Sequence, residues 1–273
     1  MIYDLASSAA DYPERIGPPH RSILICTYQR SGSTLLGEAM HSTGVLGCPL
    51  EYFHRGFASF GERWGARDAF ALADRLHRHR TDPGGTLSVK LMWPDLARIA
   101  DSHDAALAAG LRLTPAETSD ESYRRVHVLL ADILPNPAWI WLRRVDTLRQ
   151  AVSLYRARKS GIWRGLEWAA GRDTSDPDYD FEALLRTLST VRNAQEHWRR
   201  FFAAAGIEAR AVTYEALSTN YEGTLRQLFA EMGARDAQIP APRLQRQADR
   251  RSEALANKFL REIKDGTTRS ENR

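Results

Sequence analysis

Six consecutive residues, Gln29-Arg30-Ser31-Gly32-Ser33-Thr34, set a guanidinium, three hydroxyls and a glycine between an apolar run and a helical pattern. Guanidinium and hydroxyl groups bind oxyanions, and a tight turn entering a helix adds unpaired backbone N–H groups and the positive end of the helix dipole. The segment reads as a cradle for phosphate or sulfate. It is not the nucleotide triphosphatase loop G-x-x-x-x-G-K-[ST], because here the cation precedes the glycine and no lysine stands before the hydroxyl. The blander reading is a well-capped strand-to-helix turn. Lysine occurs only at Lys90, Lys159, Lys258 and Lys264, so Lys90 inside Val89-Lys90-Leu91-Met92 stands out as a second cation in an apolar setting. Glu51 follows Gly47-Cys48-Pro49 and leads into Tyr52 and Phe53. A loop glutamate is ordinarily a solvated surface group, yet beside a hydroxyl it can act as a base when its surroundings tune it.

These groups need elements to hold them. Ile23 to Tyr28 is a short apolar run suited to a strand buried on both faces, and Leu35, Leu36, Ala39 and Met40 follow at helical spacing. Tyr52 to Gly65 has no clean periodicity, as is common in functional loops. Ala66 to His79 is helical, ended by Asp82-Pro83-Gly84-Gly85. Thr86 to Trp93 predicts a strand stopped by Pro94, then a helix from about Asp95 to Leu111, and Ser119 to Leu134 predicts another helix. Trp139 to Leu142 is a third strand, and Arg143, Arg144 and Asp146 behind it lead into a helix through Val152 and Tyr155, repeating the strand, polar turn and helix of the first motif. Gly161 to Tyr179 reads as a surface loop able to close over a site. A helix follows from Phe181 to Ala205 and ends at Gly206, then a strand from Glu208 to Thr213 with a turn at Tyr214 to Leu217. A helix from Asn220 to Met232 and a tail helix from Arg243 to about Ile263 complete the pattern. Such alternation implies an α/β fold with a largely parallel sheet and a ligand site at the strand C-terminal ends. We expect an arm at 1–20, one domain at 21–265 and a frayed tail at 266–273.

With 273 residues and 43% hydrophobic content the chain can bury a proper core. The net charge of +4 is distributed, not gathered into a tract, which favours a small polyanion over nucleic acid as the partner. No apolar stretch reaches membrane-spanning length and residues 1–21 lack a signal core, which points to a cytoplasmic protein. Cys26 and Cys48 form no disulfide framework, and the histidines, His77 and His79 included, show no ligand spacing, so no metal is expected.

Gln29 to Leu36 resembles the 5′-phosphosulfate loop of sulfotransferases, in particular the bacterial Stf0-type family. Further matches follow in order between residues 22 and 255. They are Pro49-Leu50-Glu51-Tyr52-Phe53, Val89-Lys90-Leu91-Met92-Trp93, Arg144 with Gln150-Ala151-Val152-Ser153, Ile162-Trp163-Arg164-Gly165, and Arg246-Gln247-Ala248-Asp249. The resemblance implies a single P-loop-like sulfotransferase domain with a central parallel sheet flanked by helices. It implies transfer from 3′-phosphoadenosine 5′-phosphosulfate to a carbohydrate hydroxyl on a trehalose-like sugar, glycolipid or surface glycan, without metal. Arg30, Ser31, Gly32, Ser33, Thr34 and Lys90 would hold the 5′-phosphosulfate. Arg144 and Ser153 would hold the 3′-phosphate, with Arg143 the alternative anchor in a shifted register and Arg246 a further candidate. Glu51 would be the base, with Arg30 and Lys90 stabilising the departing charge. Met92 stands where cytosolic sulfotransferases carry a catalytic histidine, consistent with a base from elsewhere. Gln29, Pro49, Glu51, Tyr52, Phe53, His54 and Trp64 would meet the acceptor. Cys48, Leu50 and His54 replace hydrogen-bonding residues of the family's trehalose-acting branch, which points away from trehalose itself. A homodimer is also implied. A P-loop kinase and a nucleotide- or glycan-binding module without turnover are the competing readings.

Overall fold

The computed structural model describes residues 5–163, 179–242 and 250–271. Strands β1 (Arg21–Thr27), β2 (Thr86–Met92), β3 (Pro137–Arg143) and β4 (Arg210–Thr213) form a parallel sheet in the order β2-β1-β3-β4. β1 lies between β2 and β3, and both β1 and β2 are covered on each face, so their sequences run apolar instead of alternating. Register decides which face each side chain takes. Ile25 lies level with Lys90 and Ile140, while Cys26 lies level with Leu91 and Trp141.

On the first face Ile23, Ile25, Ile140 and Val212 pack with α1 (Ser33–Ser42), α9 (Tyr214–Thr219) and α10 (Tyr221–Glu231) in a mainly aliphatic core that also holds Phe229. The other face is aromatic. Trp139 and Trp141 meet Phe201 and Phe202 near the end of α8 (Phe181–Ala205), and Trp93 of α4 (Trp93–Asp101) packs edge-on against Trp198. Along the chain α1 is followed, before β2, by α2 (Ser59–Trp64) and α3 (Ala69–His79), the latter capped by Asp68, whose carboxylate accepts from the Ala71 amide at 2.8 Å.

The predicted helix from Asp95 to Leu111 is two helices, α4 and α5 (Ala105–Leu111), separated at 102–104, where Asp104 accepts from Leu107 N at 2.9 Å and starts α5 afresh. Pro94 does not precede the helix but sits in its first turn, where a missing N–H costs no intrahelical bond. Tyr214 to Leu217 is likewise helical, started by Thr213 Oγ1 accepting from Ala216 N at 3.1 Å. α6 (Asp120–Ile133), α7 (Thr147–Ser160) and α8 fall close to their predicted spans, whereas the tail helix α11 (Arg250–Glu271) runs past Ile263.

Two compact units divide the chain. Met1–Arg143 with Asn193–Pro242 contains the whole sheet, and Arg144–Arg192 with Arg243–Arg273 contains α7, α11 and the start of α8. In the second unit Arg149 grips Glu253 by two hydrogen bonds of 2.8 and 2.7 Å, Phe181 and Phe259 lie 5.0 Å apart, and the Asp180 amide donates to Tyr155 Oη at 3.0 Å. Among the described residues no helix is long and apolar enough to cross a membrane.

Candidate active site

β1 ends at Thr27, and the next five residues are held from behind. Ser31 Oγ donates to Thr27 Oγ1 at 2.6 Å, and Thr27 Oγ1 in turn donates to the Leu142 carbonyl at 2.6 Å, tying the loop to β3. Trp198 Nε1 donates to the Thr27 carbonyl at 2.9 Å. Arg30 (φ 66°) and Gly32 (φ 86°) take left-handed backbone conformations that reverse the chain into α1. A Cβ on Gly32 would also come within 3.0 Å of the Tyr214 ring. The first amide to return into α1 is Leu36 N, on the Gly32 carbonyl, so the first-turn amides ahead of it have no acceptor within the helix. The Ser31 hydroxyl is fully buried and engaged inward, leaving its backbone N–H as its means of meeting an anion. Ser33 is buried; Gln29, Arg30 and Thr34 are half-buried around it.

Glu51 is delivered by strand pairing. Leu50 bridges Val89 in parallel, and Lys90 N donates to the Leu50 carbonyl at 2.8 Å. This places Lys90 Nζ 3.1 Å from Glu51 Oε1, with the two side chains 4% and 16% exposed. The lysine stem and Pro49 lie against Gly37 of α1, where a Cβ would stand 3.2 Å from the Pro49 carbonyl and 4.0 Å from Lys90 Cδ. Behind the pair, Asp95 is 1% exposed and accepts from Met92 N at 2.9 Å. Burial, opposed by the Met92 amide and reinforced by the charge of Glu51, pushes its carboxyl up to about 7. His54 is shifted the other way: burial lowers its pKa, the Glu51 charge opposes this, and Arg98 and Arg55 add to the lowering. Its Nδ1 accepts from Gly56 N at 3.0 Å, and its Nε2 lies 3.4 Å from Gln29 Nε2.

Tyr52, Phe53 and His54, the three residues after Glu51, line a cavity of about 440 Å³ whose other walls come from α2, α3 and α4. Trp64 packs on Phe60 and stacks on His79 with ring centres 5.4 Å apart. One organising residue carried no motif. Arg80 is fully buried: Nη1 donates to the Leu5 carbonyl at 2.7 Å and to Cys48 Sγ at 3.3 Å, Nη2 donates to the Ser7 carbonyl at 3.0 Å, and Nε lies 2.8 Å from Asp11. Its guanidinium also lies over the Tyr52 and Phe60 rings, and Tyr52 Oη donates to the Cys48 carbonyl at 2.5 Å. The arm and the Glu51 loop are therefore joined through one cation. Its spacing was the available signal, since Arg80 falls on the α3 face of buried Ala73 and Leu76, where a charge must be paired.

In the second unit, Arg144 follows β3 directly and is buried, and Ser153 lies half-buried on α7. Asp146 caps α7 by accepting from Arg149 N at 2.8 Å. Burial raises its pKa, but hydrogen bonds from Arg149 and the charges of Arg149 and Arg144 outweigh burial and leave it lowered. Arg143, in the first unit, rests 5.0 Å from the Trp141 ring on the aromatic face of the sheet. Arg246, and residues 164–178 of the expected surface loop, lie outside the described residues. Among the described residues no three or more His, Cys, Asp or Glu side chains are grouped to hold a metal.

The structure thus sets a tight turn and helix start at the C-terminal end of β1 and a buried lysine-carboxylate pair on the neighbouring strand and loop. The chain belongs to the Stf0 sulfotransferase family, whose model, described as Stf0 sulphotransferase, matches residues 22–262. It is 28% identical over 268 residues to the trehalose 2-sulfotransferase of Mycobacterium tuberculosis (strain ATCC 35801 / TMC 107 / Erdman), covering 89% of this chain and 95% of that protein. It is also 28% identical over 262 residues to the trehalose 2-sulfotransferase of Mycolicibacterium smegmatis (strain ATCC 700084 / mc(2)155), covering 89% and 96%.

Proposed function

We propose that the chain moves a sulfuryl group from 3′-phosphoadenosine 5′-phosphosulfate to a carbohydrate hydroxyl, with Glu51 as general base. The observation that carries this reading is the 3.1 Å contact between Glu51 and Lys90, in a setting where both are largely shielded from water. A carboxylate held there is positioned to take a hydroxyl proton, and the lysine beside it to meet the sulfonate. The acceptor oxygen attacks sulfur, the bond from sulfur to the bridging phosphate oxygen breaks, and the electron pair leaves with the phosphate. The hydroxyl proton passes to Glu51. Arg30, Lys90 and the amides of residues 31–34 offset the negative charge on the leaving oxygen, which is where preorganised donors contribute most. No metal is required, since cationic side chains supply that stabilisation.

Arg144 and Ser153 are assigned the 3′-phosphate by the spacing they share with the family, and Arg246 is kept as a further contact. Trehalose, the sugar in the names of the relatives, is the first acceptor to test, followed by a bacterial glycolipid extract. Assembly as a homodimer and action in the cytoplasm are proposed on the same family likeness. The test is metal-free transfer from the sulfo donor, read by mass spectrometry beside Glu51→Gln. The expected result is product from the wild type and a loss of at least about 100-fold in the variant. Equal product from both would remove Glu51 as base, and failure to bind the desulfated donor would overturn the assignment.

A further inference from the structure

We propose that the cavity beside Glu51 is an acceptor subsite for a saccharide already bearing an oxyanionic group, a phosphate or carboxylate, which Arg67 and Arg98 receive. This rests on the sulfotransferase reading above and adds the chemical class of its acceptor. The cavity adjoins the proposed base through the chain itself, because Tyr52, Phe53 and His54 follow Glu51 and form one wall. Arg98 stands on the α4 wall and acts electrostatically on His54 and Asp95, the same two groups that the Glu51 charge influences.

The placement of the two arginines in the lining is what selects the ligand. Its two carboxylates are engaged: Asp68 accepts from Ala71 N at 2.8 Å, and Asp101 pairs with Arg112 at 3.0 Å. Outside the lining, Arg63 pairs with Asp11 at 3.0 Å and Arg78 with Asp74 at 3.1 Å. Arg67 and Arg98 line the cavity, are exposed, and have neither an ion pair nor a hydrogen bond among the described residues. Two guanidinium groups that make no ion pair among the described residues, on one concave surface, suit a planar or tetrahedral oxyanion, which each can grip through paired N–H groups. The buried Tyr52 and Phe53 supply the apolar wall that pyranose faces pack against, and about 440 Å³ lies within the usual range for small-molecule sites.

The test is calorimetric titration of the full chain, saturated with the desulfated donor, at low and moderate salt. The probes are trehalose, trehalose 6-phosphate and a glucuronate-containing disaccharide. We expect one or both anionic sugars to bind at least tenfold more tightly than trehalose, with the phosphate and carboxylate arms showing which anion fits better. Arg98→Gln and Arg67→Gln should each shrink that preference and the double variant abolish it, with unfolding temperatures unchanged because both side chains are exposed. Equal binding of neutral and anionic sugars, a preference that survives in the double variant, or no binding of any probe would overturn the proposal. Binding is read here without turnover. A chain that shows this preference yet transfers sulfate to nothing would refute the chemistry assigned to Glu51, not the subsite.

Discussion

Lys90 and Glu51 neutralise one another across 3.1 Å in a place where neither is well hydrated, so each sets the cost of losing the other. Glu51→Gln leaves Lys90 an amide oxygen to contact and should act mainly on kcat. Lys90→Met leaves a carboxylate without its cation, and should lower both stability and donor affinity. The double variant Glu51→Gln/Lys90→Met should then be more stable than the sum of the two singles by about 0.5–3 kcal/mol, measured by urea unfolding. Strict additivity would mean that the contact contributes no coupling. Gly32 makes a different demand: with φ at 86° and the Tyr214 ring only 3.0 Å from a notional Cβ, Gly32→Ala meets both backbone strain and a clash. A loss on the order of 1–3 kcal/mol is expected, together with weaker binding of the desulfated donor by calorimetry. Wild-type affinity in that variant would show that the cradle tolerates another backbone path.

At the scale of elements, the one-residue bridge between Leu50 and Val89 turns an irregular loop into an extension of the sheet edge, and this fixes Glu51 where a free loop would scatter it. Arg80 fastens the other side. Arg80→Met strands the Leu5 and Ser7 carbonyls and leaves Asp11 with Arg63 alone. Removing one partner from a buried charged network should cost about 3–5 kcal/mol. Limited proteolysis should then cut within residues 5–15, and Arg80→Lys should protect only partly because an ammonium cannot reproduce the fork. An uncut arm in Arg80→Met would show that other contacts hold it. The arm's docking was not legible in its sequence, because it depends on a partner 69 to 75 residues away. The break between α4 and α5 was hidden for a local reason, since Ala-rich sequence on both sides continues the helical period while Asp104 restarts it with a cap.

Across the whole molecule, the fold could be read because parallel strands covered on both faces produce apolar runs, and each of the first three was followed by polar turn residues or proline. The tight turn between β1 and α1 could be read as well, since a local motif needs no distant partner. Lys90 and Glu51 were individually visible, whereas their pairing comes from strand register, and the cavity and the Arg80 network come from packing between segments distant in sequence. The same packing sets two opposed titrations. Asp95 is raised from 3.8 to about 7, so its contribution to stability is complete below the unfolded value and is lost as pH rises through 7. His197 stacks on Trp93 at 4.4 Å, meets Tyr123 Oη at 2.9 Å and is lowered from 6.5 to about 4, mainly by burial. Its contribution is complete above 6.5 and is lost as pH falls through 4. Between about pH 4 and 6.5 the two slopes offset each other. Asp95→Asn, which keeps an acceptor for Met92 N, should make stability rise with pH across that window, by up to about 1.4 kcal/mol per pH unit. An unchanged profile in chemical denaturation would remove Asp95 from the balance.

The cavity is built of two materials. Its buried wall, Tyr52, Phe53 and Ile99, belongs to the core, while Arg67, Arg98, Asp101 and Ser102 stand on the outer wall at helix surfaces or in the turn before α3. Exchanges on an exposed surface usually change stability by no more than about 0.5 kcal/mol, whereas core exchanges cost several times that. With the cavity as the acceptor subsite proposed above, mutation along the outer wall would sample new acceptors while the buried wall preserves the fold, without first drawing on spare stability.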